Sequence, residues 1–422
     1  HSQFMWDAGD HAYLVGVDNE ERPDVDIFDI SDPTQPVKIA EYDLNTAFGG
    51  IIPDAVLGTG ESFHHDVIVK EIDGRQIMSV SYWDGGYVLL DVTDPANATY
   101  IGDTDFPAVD PMLFERTGDS RVPEGNAHQS EISLDNQLLI AADEDFNPFK
   151  TAATNVDDGT AFTASSGSDT PPLQPGQLIE GATVFVGRAC PGDPAPPPAP
   201  GAGNIAVVER GVCTFTEKVA AVEAAGGYEA IIVMNRTGSD ACEAALGMLV
   251  EGNTPTFGVV PRSVGFAIFD TPYDEAACLA DTGGGQAPIA LGTVGDTVRL
   301  ESYFDGWGYV HAYEMGTGKL TELDTYAIPE AHDRDFAEGF GDLSVHEVAM
   351  SHQIANRGYL SYYSGGFRVI AVEGGEIVEK GHFIDEGGNN FWGVQVFERD
   401  GVEYVAASDR DFGLYIFRYT GP

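Results

Sequence analysis

Apolar and polar residues alternate along most of this chain in short runs bounded by Gly, Pro, Asn and Asp. This is the pattern of half-buried β-strands, and a helical period is confined to one region. The clearest stretch is 65–95, HDVIVKEIDGRQIMSVSYWDGGYVLLDVTDP. VIV, QIMSVSYW and YVLLDV read as strands, and WDGG as a tight turn whose glycines supply positive φ. Similar units recur. The first spans 1–46, with strands in HSQFMWDAG, HAYLVGVD, VDIFDISDP and VKIAEYDL, and a loop follows at 47–60. The second is the 65–95 stretch closed by TYIGDTDF. The third opens at NAHQSEISLDNQLLIAADED, is interrupted, and resumes at VRLESYFDGWGYVHAYEM and LTELDTYAI. The fourth is SVHEVAMSHQIANRGYLSYYSGGFRVIAV with IVEKGHFID, and the fifth NNFWGVQVFERDGVEYVAASDRDFGLYIFRY. Serial four-stranded antiparallel units predict a mainly β fold, a β-propeller with five blades in view. Rings of five and of seven blades both fit. The chain opens in a first strand and ends in a third, one strand short of simple closure, so further blades are expected ahead of His1.

DIFDISDP, LLDVTDP and RVIAVEGG hold the same place in three units, as do SYWDGGY, SYFDGWGY and SYYSGGF. These stretches resemble the LVIVD-repeat family of extracellular β-propellers, over residues 1–150 and about 295–422. The resemblance implies a secreted or cell-surface protein.

The interruption differs in composition. Residues 151–176 are rich in Thr, Ser, Gly, Asp and Pro and read as a linker. Residues 177–293 carry the helical region, TEKVAAVEAAGG, with Val219 and Val222 on one face and Gly226 as its C-cap. IAVVER and AIIVMN are near-continuous apolar runs, as in strands covered on both faces. IAVVERGVCTFTEKVAAVEAAGGYEAIIVMN resembles the protease-associated (PA) domain, an α/β module that is generally non-catalytic and acts as a lid, a substrate-restricting cover or a binding surface. Residues 1–150 and 294–422 are then the two parts of the propeller.

Charge narrows the partners. There are 21 Lys+Arg against 68 Asp+Glu, a formal net charge of −47. This argues against nucleic acid and anionic membrane surfaces, because both need clustered cations. No apolar run approaches the roughly 20 residues of a membrane span. Cys190, Cys213, Cys242 and Cys278 lack zinc-knuckle spacing, and two disulfides in an exported protein fit better. Proximity favours Cys190–Cys213 and Cys242–Cys278, with three connectivities open.

Candidate chemistry comes from aligning the units. His1, His65, His128 and His346 each begin a first strand. In a propeller these strands line the central channel, so equivalent positions converge at one mouth. Four imidazoles there suit Zn, Cu, Fe or Mn. Asp66 and Glu347 follow two of them directly and are candidate ligands, orienting groups or catalytic bases. The structural alternative is a histidine that hydrogen-bonds to the neighbouring blade and does nothing else. His11, His311, His332 and His382 share no register and read as structural. Asp84, Asp143, Glu144, Asp145, Asp305, Asp409 and Asp411 fall on turns expected at the same mouth, where they could hold Ca²⁺ or simply serve the turns. The PA insert enters at one of these turns, so a lid over the mouth is expected. Two functions remain: a metal-dependent hydrolase or oxidoreductase, or a non-catalytic module binding a small molecule, peptide or glycan at the propeller face.

Overall fold

The computed structural model describes residues 2–17, 25–48, 62–174, 176–239, 241–244 and 247–421. His1 lies outside them. The chain divides into two compact units, 1–148 with 305–422, and 149–304.

The first unit is mainly β and propeller-like, with five blades. Blade 1 is Gln3–Asp7, Ala12–Val17, Val25–Asp29 and Val37–Tyr42, in simple antiparallel order. Blade 2 is Asp66–Ile72, Arg75–Ser81, Tyr87–Asp91 and Thr99–Asp103, and Gly318–Lys319 adds to its outer edge. Blade 3 takes Ala127–Ile132 and Leu138–Asp143 from before the insert, and Val310–Glu314 and Thr321–Tyr326 from after it. Blade 4 is Glu347–Met350, Arg357–Ser361, Phe367–Glu373 and Glu376–Phe383. Blade 5 has three strands, Phe391–Arg399, Val402–Asp409 and Gly413–Phe417. The first strands neighbour one another in blade order.

The two-residue period explains how the blades stack. In blade 2, Val67, Val69, Met78, Val80 and Leu90 face blade 1, while Ile68, Ile77 and Tyr87 face blade 3. In blade 3, Ile140 and Ala142 pack on blade 4, whereas Leu139 and Ala141 pack on blade 2. Both faces of the inner strands are therefore buried in these blades.

The SDP and TDP motifs have a mechanical role. Ser31 N–H donates to Asp29 Oδ1 at 2.8 Å, and Thr93 N–H to Asp91 Oδ1 at 3.0 Å. The same hydroxyls accept from Ala12 N (3.1 Å) and Gln76 N (3.0 Å). Each motif turns the chain out of the third strand and ties it to the start of the second. RVIAVEGG lacks the hydroxyl, and blade 4 uses Asn356 Nδ2 donating to Val372 O at 2.9 Å instead.

The second unit holds a seven-stranded sheet. Leu178–Phe185, Ile205–Glu209, Ala230–Met234 and Thr256–Val260 run parallel, and Val294–Phe304 pairs antiparallel with the first of them. The stretch at 151–176, read above as a linker, supplies strand as well: Phe149–Asn155 and Ala161–Thr163 extend the sheet beyond Val294–Phe304. Its polar composition hid two strands that are largely half-buried or exposed. The helix Phe215–Ala225 starts in a capping box between Thr214 and Glu217, buries Val219 and Val222, and ends at Gly226 with φ 81°. Cys190–Cys213 and Cys242–Cys278 are the disulfides.

Candidate metal centre at the propeller mouth

Strand register defines the site. Asp66 pairs with Ser81, Gln129 with Ala142, Glu347 with Ser361 and Gly393 with Ser408. The residues just before these four are His65, His128, His346 and Trp392. The structure brings the three histidines together: ring centroids lie 4.3 Å apart for His65 and His128, and 4.1 Å for His128 and His346. All three are buried.

Each imidazole also leans towards the next blade's backbone. His65 Nδ1 lies 3.3 Å from His128 O. His128 leans in the same way on the His346 backbone, and His346 on that of Trp392. In these two steps Nδ1 falls outside hydrogen-bonding geometry and makes no hydrogen bond among the described residues. This arrangement directs Nδ1 outward and leaves Nε2 for the centre.

A second set of equivalent positions ends the second strands. Tyr82, Asp143 and Tyr362 each donate their backbone N–H just ahead of the third strand, to Gly86 O, Tyr309 O and Gly366 O. The residues after them are Trp83, Glu144 and Tyr363. Trp83 lies 4.8 Å from the His65 ring and Tyr363 5.2 Å from that of His346. Glu144 lies between the imidazoles, with Oε2 3.3 Å from His128 Nε2 and Oε1 3.4 Å from His346 Nε2. The Tyr363 hydroxyl donates a short hydrogen bond to Glu144 Oε1. One donor atom each from His65, His128 and Glu144 fit within 4.8 Å of one another. Gly308 permits this backbone course, since a Cβ there would sit 2.2 Å from Asp143 O.

The electrostatics follow from burial. It pushes His65 down to about 4, His346 to about 3, and His128 well below its ordinary value, so all three are neutral at pH 7. Burial raises Glu144 to about 7, with the Tyr363 hydrogen bond pulling the other way. In the tautomer protonated at Nδ1, Nε2 sets its lone pair against a carboxylate oxygen at 3.3 Å. The other tautomer, with the proton on Nε2, or a bound cation makes that contact favourable.

Asp66 and Glu347, the candidate bases, sit one residue further along their strands. Asp66 accepts from Val67 N at 2.5 Å, and burial raises its carboxyl to about 6. No described contact joins it to an imidazole. Glu347 Oε2 accepts from Val394 N at 3.1 Å, Oε1 lies 3.7 Å from His346 Nδ1, and burial lifts it to about 7. Glu347 thus lies beside His346 Nδ1 without hydrogen-bonding to it. Among the acidic turn residues, Asp409 accepts from the backbone N–H groups of Asn390, Asp411 and Phe412, which is turn chemistry.

Three residues after His128 on the same strand, Glu131 is half-buried, and desolvation raises its carboxyl to about 7, partly offset by Lys70. Its folded value exceeds its unfolded one, so its contribution to stability is present below about pH 4.5 and is lost as pH rises through about 7. Glu131→Gln is expected to unfold with a flatter pH profile. Between pH 5 and 8 the variant should gain on the order of 2–3 kcal/mol relative to wild type. Parallel urea titrations at the two pH values check this, and a constant difference would refute it.

With this geometry in view, comparison with known proteins adds one assignment. Residues 176–267 match the PA domain family. Residues 176–267 are a PA domain. No curated protein matches the chain. Two structures of a zinc aminopeptidase from Bacillus subtilis align at 14% and 15% identity, with TM-scores of 0.26 and 0.25, over 44% and 43% of this chain and 38% and 37% of theirs. An aminopeptidase from Aneurinibacillus sp. strain AM-1 aligns at 17% identity and TM-score 0.21, over 42% of this chain and 37% of its own. The chain thus spans under two-fifths of each, and likeness at this level carries no chemistry across.

Proposed function

We propose that the propeller mouth binds a divalent transition-metal ion through His65, His128, His346 and Glu144, and that the protein is a metal-dependent hydrolase. The observation that carries this is the separation of Glu144 oxygens from two neutral Nε2 atoms, 3.3 and 3.4 Å. Ligand atoms about 2.0–2.1 Å from a tetrahedral ion lie about 3.3 Å from each other. A bound ion would polarise a substrate oxygen and lower the pKa of a coordinated water to about 7. Tyr363 holds the Glu144 carboxylate. Trp392, 48% exposed, offers a flat apolar surface to a peptide or glycan. The two disulfides favour an oxidising, extracytoplasmic setting, in keeping with LVIVD-type blades.

A second reading has its own support. His128 is 2% and His346 3% exposed, and a closed site suits a structural ion better than a catalytic one. The ion would then clamp blades 2, 3 and 4, and the protein would be a binding module. The two readings part on activity. Protein loaded with Zn²⁺ or Mn²⁺ and offered peptide, ester and phosphoester substrates is expected to hydrolyse one class, and to stop when the ion is chelated. Stoichiometric metal without turnover would leave only the clamp. Metal-free protein after loading would sink both.

A further inference from the structure

Blade 3 carries a second cluster that the mouth does not use. Asp143 precedes Glu144 at the end of one strand, and the alternation that turns Ala142 to blade 4 turns Asp143 to blade 2. There it meets His311 from the third strand and Glu124 from the loop before the blade. His311 Nε2 lies 2.7 Å from Asp143 Oδ2 and 3.4 Å from Glu124 Oε2. The three side chains are 4%, 0% and 7% exposed.

These contacts are close, but the ring N–H directions fall outside hydrogen-bonding geometry, so they act as ion pairs. Glu124 Oε2, Asp143 Oδ2 and both ring nitrogens of His311 have no hydrogen-bonding partner among the described residues. Buried polar atoms rarely remain so. Their other atoms, in contrast, are held firmly. Tyr87 Oη donates to Asp143 Oδ1 at 2.5 Å, and Tyr309 N–H to Glu124 Oε1 at 3.2 Å. His311 Nδ1 looks towards Glu322 Oε1 at 3.5 Å, the carboxylate partner that a metal-bound imidazole commonly has on its far nitrogen. Tyr309 and Tyr313 stack on the ring at 4.8 and 5.8 Å, and Phe106 meets it edge-on at 6.4 Å. One atom from each of the three residues fits within 4.8 Å of the others.

We propose that Glu124, Asp143 and His311 bind a second divalent first-row cation between blades 2 and 3. Two carboxylate oxygens and one imidazole nitrogen suit Zn²⁺ or Mn²⁺. The closed aromatic wall makes the ion structural: it ties the loop at Glu124 and the two strands that flank the insertion to one point. This centre is independent of the mouth and stands whether or not the mouth binds metal.

The test is zinc stoichiometry in the full chain, measured after saturation with Zn²⁺ and removal of excess. Wild type is expected to hold two equivalents, Glu124→Gln one and His128→Ala one. If the mouth binds nothing, wild type and His128→Ala hold one equivalent and Glu124→Gln none, so the two centres are told apart. Glu124→Gln keeps the side-chain volume, and circular dichroism checks that it folds. Crystals of wild type soaked in Zn²⁺ give a second readout without mutation: an anomalous peak beside His311 Nε2. Unchanged stoichiometry in Glu124→Gln, or no peak at His311, overturns the proposal and leaves a buried ion pair.

Discussion

His128→Ala is expected to abolish metal binding at the propeller mouth. His128 is the middle imidazole, 4.3 Å from one neighbouring ring and 4.1 Å from the other, and its Nε2 faces Glu144 at 3.3 Å. Removing even an outer-shell partner of a metal site costs roughly 10- to 100-fold in affinity, so loss of a direct ligand should exceed about 100-fold. Competition with a chelating dye, read by calorimetry or absorbance, measures it. Glu144→Gln provides the complementary case, keeping the volume and removing the charge. Its loss should be comparable, because the carboxylate is the one anionic donor of the set. Affinity within about threefold of wild type in both variants would refute the assignment of these ligands, taking tenfold as about 1.4 kcal/mol. Stability should respond differently. Without metal, His128→Ala removes a ring buried against two others, and Glu144→Gln relieves a carboxyl that burial holds at about 7.

The second large effect belongs to the PA domain. Arg262 Nη1 lies 2.7 Å from Glu209 Oε1, and the two side chains are 3% and 2% exposed. The same Nη1 donates to Asn235 O at 2.7 Å, and the Glu209 carboxylate also accepts from Ala287 N. Arg262→Ala leaves Glu209 buried with its charge uncompensated. Breaking such a pair from one side costs about 3–5 kcal/mol, whereas an apolar pair of similar volume is often neutral. Arg262→Ala should therefore destabilise the 149–304 unit, and Arg262→Met with Glu209→Leu should recover most of the loss. The four tryptophans, Trp6, Trp83, Trp307 and Trp392, all lie in the propeller unit. Tryptophan emission follows that unit, and far-ultraviolet circular dichroism detects loss of the insert as well. An Arg262→Ala denaturation curve within about 1 kcal/mol of wild type by dichroism would contradict the expectation, since that is the scale of an ordinary surface change.

The fold was legible because a two-residue period and paired glycines recur in register, and because few other folds repeat four short strands. The parallel strands of the insert were legible for the opposite reason, an unbroken apolar run. His65, His128 and His346 could be found since each begins a first strand. Glu144 was visible only as one acid among several on turns. Aligning the ends of the second strands, SYW, ADE and SYY, would have set it in the slot of Trp83 and Tyr363 and marked it as the exception. Glu124 offered no such signal. It lies in a loop without periodicity, and its approach to His311 depends on how blade 2 packs against blade 3. The strands at 149–163 were missed because Thr, Ser and Asp dominate where neither face is fully covered.

Three imidazoles can arise by copying one blade, but a single carboxylate among them cannot. In blades 2 and 4 the residues at 82–86 and 362–366 must close a hairpin, and an aromatic pair followed by glycines does so. In blade 3 that hairpin is open, and 156 residues (304 − 149 + 1) stand in place of the turn. Position 143 keeps its backbone bond ahead of the third strand, but 143 and 144 are acids where blades 2 and 4 have an aromatic pair. The likeness among blades 2, 3 and 4 thus breaks at the blade that carries the inserted unit, and the carboxylate among the imidazoles sits at that break.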